Sequence, residues 1–255
     1  MGLDVSYTGL VAFLLALARA VAWLIVVPPF SDRKVIPSTV TMAIGSGLAL
    51  LVVPTLPASA IPQDAAGLIA ALALQVLTGL AMGFVLNLML AAITAAGSLV
   101  DLAGGLNLPT AIDPLSLDQT PMIGQFYQQV ALLLLFVSGG YLIVVNGFVR
   151  SFQAPGFTLG VSGRVAGVLA ADLATYITSA VEMAAPILVV LFATQIVLAL
   201  VSRAAPQMNV WILGLPLQIF LALALVAVAI SAVPTYLTRL VGRAVGDAAA
   251  MFGGP

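Results

Sequence analysis

The sequence predicts an all-α integral membrane protein, and three observations carry that prediction. Hydrophobic residues make up 62% of the 255-residue chain and charged residues only 7%, with a mean hydropathy of +1.22, whereas soluble domains hold about 45–50% and about 25%. The apolar residues gather into runs long enough to cross a bilayer. No polar block is large enough to fold separately, so residues 1–255 are expected to form a single membrane-embedded domain.

Six apolar helical segments are predicted, at about 9 to 29, 39 to 56, 65 to 100, 126 to 148, 166 to 202 and 215 to 240, since a crossing needs roughly 20 residues. Met1 to Ser6 lacks the basic start of a cleaved signal, so the first run is expected to be a retained helix. The runs at 65 to 100 and 166 to 202 are overlong. At 1.5 Å per residue each would make about 50 Å of helix. Either they are tilted helices that project beyond the membrane, or they fold back as hairpins at Gly79/Gly83 or at Pro186. The small-residue pairs Gly45/Gly47, Gly79/Gly83, Gly163/Gly167 and Gly242/Gly246 predict close helix packing. Arg33, Lys34 and Arg203 stand against Arg150, Arg164, Arg239 and Arg243 on the opposite side, a balance too even to orient the chain.

Composition also excludes functions. A net charge of −1 without a basic run argues against nucleic-acid binding, which needs clustered cations. The chain has no Cys and no His, which removes the thiolate nucleophile, the commonest metal ligand and the usual proton shuttle. No metal or cofactor site is expected. Gly45-Ser46-Gly47 has no general base to activate its hydroxyl. Gly246-Asp247 lacks a second glycine two residues earlier and a partner Asp in an apolar span, so an enzyme is not expected.

Charges inside the apolar runs need partners. Arg19 lies near the middle of the first run, where a lone charge costs about 2.5–3.5 kcal/mol. Asp101, Asp172 and Glu182 are its candidate counter-charges, with a structural ion pair favoured over a pore-lining role. Asp172 and Glu182 are ten residues apart and fall on different sides of a helix, so they do not form an acid/base pair.

Two interruptions are the most specific features. Residues 100 to 125 carry Asp101, Gly104, Gly105, Asn107, Pro109, Asp113, Pro114, Asp118 and Pro121 with no Lys or Arg, yet also Leu102, Leu106, Leu108 and Ile112. That stretch is too broken for a membrane helix and too apolar for a free loop, so it is expected to pack inside something. The second interruption, Ser202 to Pro216, mixes Arg203, Asn209 and the breakers Pro206, Gly214 and Pro216 with Met208, Val210, Trp211 and Ile212.

The Arg-Ala-Ala-Pro-Gln-Met-Asn run at 203 to 209 resembles the signature of the FliR proteins of flagellar export and their counterparts in virulence-associated type III secretion. Arg19 with Pro28 and Phe30, Gly83, Gly97 with Asp101 and Gly105, Asp113-Pro114, Gly139-Gly140, Ser151-Phe152 with Pro155, and Pro186 follow in matching order. Tyr141, Thr41 and Gln218 depart from the pattern, the last removing a positive charge beside Pro216.

The resemblance implies a non-enzymatic subunit of a helical export-gate ring in the bacterial inner membrane at the flagellar basal body. Its partners would be FliP-like, FliQ-like and FlhB-like subunits, the lipid bilayer and unfolded export substrates. A plug at about 104 to 122 would close the pore through Gly104, Gly105, Leu106, Pro109, Ile112, Asp113 and Pro114. Arg19, Asp101, Glu182, Arg203, Pro206, Asn209, Gly214 and Pro216 are the candidate assembly or buried-charge residues. Two rival readings are a secondary transporter with a midplane ion site and a purely structural scaffold.

Overall fold

The computed structural model describes residues 7–31, 36–56, 62, 64–106, 121–152, 163–207 and 209–251. Among them are eight α-helices and no strand: α1 (Tyr7–Val26), α2 (Ser38–Val52), α3 (Ala65–Ala103), α4 (Met122–Val137), α5 (Gly140–Arg150), α6 (Gly163–Ala204), α7 (Val210–Ala229) and α8 (Val233–Met251). Helices α1, α3 and α6 and the stretch Ile212–Asp247 are each long and apolar enough to cross a membrane, and α4 with α5 would add a fifth broken span. The chain is a multi-pass helical membrane protein.

The helix boundaries have local causes. Pro28 and Pro29 come one residue after α1 and cannot extend it. Asp64 opens α3 by accepting the Gly67 N–H at Oδ2 over 2.8 Å, satisfying one of the four unpaired donors of a helix start. Both overlong runs are continuous helices with no hairpin at Gly79/Gly83 or Pro186: α3 has 39 residues and α6 has 42. Glycine has no steric reason to break an apolar helix, and Pro186, although it gives up an N–H and crowds the carbonyl one turn earlier, is tolerated within a long apolar helix.

The fourth run divides in two. Gly139 takes φ 71°, a left-handed conformation cheap only for glycine, and α5 starts at the next residue. In the sixth run the expected order is also revised. The chain re-enters a helix at Val210, so Gly214 and Pro216 lie inside α7 and the true interruption is confined to residues 205–209. The apolar residues that follow Asn209 carry the helix through Gly214 and Pro216, as membrane helices tolerate such breakers.

The chain clusters into two compact units. The first comprises residues 1–89, 138–173 and 240–255. Its core gathers Leu15, Trp23, Leu24, Val52, Val85, Met89 and Phe148, all buried. Trp23 stacks on Phe148 at 4.5 Å, and Phe148 meets Phe152 edge-on at 5.3 Å. Here α3 lies directly on the α1 backbone. A Cβ at Gly79 would run into the Arg19 carbonyl oxygen, and one at Gly83 would come within 2.9 Å of the Trp23 carbonyl. Of the other expected small pairs, Gly45 sits against Val21, whereas Gly47, Gly167, Gly242 and Gly246 have nothing within 4 Å.

The second unit comprises residues 90–137 and 174–239. Its core includes Ile93, Val100, Ile123, Tyr127, Leu191, Ala222 and Leu237. The end of α3 and the start of α4 meet at Gly97 and Gly124, where a Cβ on Gly97 would lie 2.7 Å from the Gly124 Cα.

Gly79→Ala is therefore expected to push α1 off α3 and lower stability by about 1–3 kcal/mol. Gly47→Ala, which meets open space, should be neutral or mildly stabilising. Thermal unfolding midpoints in detergent check this, and equal midpoints for the two variants would contradict the close approach.

Candidate functional site

The expected plug begins where α3 stops, and the stop is made by hydrogen bonds as well as by composition. Gly105 adopts φ 74°. The Leu106 N–H donates to the Asp101 carbonyl at 3.0 Å and the Gly105 N–H to the Leu102 carbonyl at 3.4 Å. This pair of backward bonds around a left-handed glycine satisfies carbonyls that a helix end leaves free. Another of those carbonyls, that of Ala103, accepts the Gln195 Nε2 N–H from α6 at 3.1 Å. Gly104 is pressed close to Ala222 of α7, 3.0 Å from a would-be Cβ.

The far end of the same segment returns to the same residue. Fully buried Asp101 accepts the Ile123 N–H at Oδ1 and the Gly124 N–H at Oδ2, each at 3.0 Å. These are donors of the first turn of α4, so a carboxylate on α3 caps α4 from outside it, where helix-end donors and the macrodipole favour negative charge. Asp101 thus closes the turn that begins the segment with its backbone and holds the helix that ends it with its side chain. Of the predicted plug residues, Gly104, Gly105 and Leu106 belong to this anchored base. Pro109, Ile112, Asp113 and Pro114 lie outside the described residues.

A cavity of about 430 Å³ adjoins that base. Leu102, Gly105, Gln195, Leu198, Ser202 and Gln218 are among its lining residues, which places it beside the 205–209 interruption. Within the second predicted segment, Gly214 is buried against Leu198, 3.1 Å from a would-be Cβ. Arg203, Pro206, Asn209 and Pro216 are exposed. Asn209 occupies the position before α7 without a side-chain capping bond, and its carbonyl accepts the Ile212 N–H at 3.0 Å.

Arg19 is 3% exposed, within α1. It donates from Nε to Gln75 Oε1 at 2.6 Å and from one terminal nitrogen to the Ser151 carbonyl at 3.1 Å and Ser151 Oγ at 3.2 Å. Its guanidinium also lies 4.2 Å from the centre of the Phe152 ring, a cation–π contact that gains strength out of water. Neutral acceptors and a ring face therefore supply much of its surroundings. Of the three candidate counter-charges, Asp101 spends both carboxylate oxygens on α4, and Glu182 is exposed. Asp172 lies beside Asp247 of α8. Asp247 thus has a partner Asp in an apolar span after all, supplied by a helix distant in sequence; Ala244 still stands where a second glycine would be needed. Among the described residues no three His, Cys, Asp or Glu side chains come together as a metal site.

Gln75 is the buried residue that sequence reasoning missed. A lone glutamine in an otherwise apolar stretch of α3 was a legible signal, because buried amides in membrane helices need partners. Arg19→Leu is expected to leave the buried Gln75 oxygen unpaired, at about 1–3 kcal/mol, with a smaller loss at the half-buried Ser151 acceptors. Arg19→Lys should recover only part of that, since an ammonium lacks the planar fork. Detergent unfolding curves decide; a Lys variant as stable as the parent would argue against the geometry. For Asp101→Ala we expect a loss of about 1–2 kcal/mol, with faster amide hydrogen exchange confined to the first turn of α4. Asp101→Asn should fall between. Unchanged exchange at Ile123 and Gly124 would count against the capping role.

Relatives cover most of the chain. The flagellar biosynthetic protein FliR of Bacillus subtilis (strain 168) is 30% identical over 231 residues, 87% of this chain and 87% of that protein. Flagellar biosynthetic protein FliR of Escherichia coli (strain K12) is 28% identical over 214 residues, 83% and 81% of the two chains. Yop proteins translocation protein T of Yersinia pestis is 26% identical over 219 residues, 84% of each. Residues 10–244, which run from the first turn of α1 well into α8, match the family described as bacterial export proteins, family 1, and the chain belongs to that family.

Proposed function

We propose that this protein is a subunit of a type III protein export gate, of the flagellar kind, in the bacterial inner membrane. It acts as one membrane-embedded gate subunit beside FliP-like, FliQ-like and FlhB-like partners, forming part of a helical ring through which unfolded proteins pass. The segment at about 104 to 122 helps to close the passage before substrate arrives. No chemistry of bond making or breaking is assigned to it. The transporter alternative gains nothing from the family or its relatives.

The observation that supports a gating segment is its double anchorage on Asp101. A spacer between two membrane helices needs no shared fixed point, whereas a stopper must be held at both ends while its middle yields. The backward-bonded turn at Gly105 and the capped start of α4 supply such ends. The amide, hydroxyl and breaker residues around the neighbouring interruption suit a surface that meets other polypeptide.

Two measurements test this reading. Co-expressed with the small membrane proteins encoded beside it and purified in mild detergent, the tagged chain is expected in a stable hetero-oligomer whose mass gives the subunit ratio; a lone monomer or homodimer would overturn the export-gate role. Replacing residues 107–120 by a short Gly-Ser linker keeps the Asp101 anchors and is expected to raise ion leakage across the cell membrane. Unchanged permeability would remove the plug while leaving the subunit assignment standing.

A further inference from the structure

Glu182 occupies an unusual position halfway along α6. Its neighbours Met183, Ala184 and Ile187 are buried, but Glu182 itself points outward. It stands among exposed apolar side chains: Ile177 is 58% exposed, Val181 49% and Val189 67%. One turn later comes Pro186, inside the helix and without an N–H, so the Glu182 carbonyl loses the donor that would normally bond it. The Thr178 hydroxyl, one turn earlier, is committed to the Ala174 carbonyl at 2.8 Å. One point on an otherwise apolar face therefore carries two hydrogen-bond acceptors, one of them charged.

The surroundings of that face follow by elimination. Water would solvate the carboxylate but leave a contiguous apolar patch exposed. Lipid would cover the patch but strand a carboxylate at a cost of about 2.5–3.5 kcal/mol, together with an unpaired carbonyl. Protein that brings donors satisfies both. Several of this chain's own cations are engaged elsewhere: Arg19 is held by Gln75 and Ser151, Arg150 donates to Asn146, and Arg239 lies over Tyr236. Arg203, on the same helix, is about 30 Å away by helical rise.

We propose that the Glu182 face of α6 is a docking site for a helix of another membrane subunit that presents an arginine or lysine to this carboxylate. A guanidinium fits best, since its fork can donate to the carboxylate and to the freed carbonyl together. The proposal rests on the export-subunit reading and adds to it one contact point and the charge of its partner.

The test uses the co-expressed complex. Glu182→Ala is expected to lower recovery of the neighbouring subunits about tenfold, the loss of one charge-assisted hydrogen bond. Glu182→Asp should retain most of it. A photoreactive residue at 182 should cross-link to a neighbouring subunit near a Lys or Arg. Removing that base should reproduce the Glu182→Ala loss, with little added in the double variant. The chain has no native cysteine, so Glu182→Cys carries its only thiol. Labelling of that thiol by a membrane-impermeant reagent in the intact complex would mean a water-lined face and overturn the proposal. So would cross-links to lipid alone, or undiminished recovery with Glu182→Ala. If the unaltered chain captures no partner, the export-subunit reading falls and this contact with it; if it does and Glu182→Ala changes nothing, only the contact falls.

Discussion

Asp101 is the fixed point that ties the end of α3 to the start of α4. Hydrocarbon offers no substitute for a lost backbone hydrogen bond, so a chain can leave a helix in an apolar setting only where its ends are satisfied from within. Asp101 does this twice, accepting Leu106 at its carbonyl and the first turn of α4 at its carboxylate. Around it the backbones are brought close together. Gly97 and Gly124 let α3 and α4 approach to backbone contact, and Gln195 takes the last loose carbonyl of α3. The end of α3 and the start of α4 are thus both fully bonded where regular helix stops and starts.

Arg19 illustrates the other way to house polar chemistry in an apolar core. A cation buried against a carboxylate gains Coulomb energy but must desolvate two charges, and that balance is often unfavourable. Here an amide oxygen, a carbonyl, a hydroxyl and an aromatic face share the work. The arrangement needs α1 and α3 almost touching, which the glycines at 79 and 83 permit. Charge solvation and helix packing are thus one constraint in the first compact unit, since a bulkier residue at 79 would separate Arg19 from Gln75 as well as the helices from each other.

Much of this architecture was legible in the residues. Composition and run length were enough for a helical membrane protein, and the low polarity of 65 to 100 and 166 to 202 already marked overlong elements. Whether those runs folded back was not legible, because glycine and proline report what a backbone can do and not what its neighbours require. Pro186 and Pro216 stay inside helices for that reason, whereas Gly139, whose break depends on its own φ, splits a run that looked continuous. In the candidate site, the glycines and Asp101 were singled out from their pattern. Their bonding to Ile123 and Gly124 was hidden, since a cap supplied across more than twenty residues leaves no local motif. The same distance hid the meeting of Asp172 with Asp247.

The uninterrupted length of α6 bears on how such a chain can change over evolutionary time. Deleting one residue from a helix turns everything beyond it by about 100° and draws it back about 1.5 Å. In α6 a deletion near its middle would turn Leu191 out of the core and carry Gln195 away from Ala103. Side chains there can be exchanged one at a time, but the count of residues between the buried Met183 and Gln195 cannot drift. Insertions and deletions are left to the connections between helices, so the long helices act as rulers that keep the chain's length information while its composition varies.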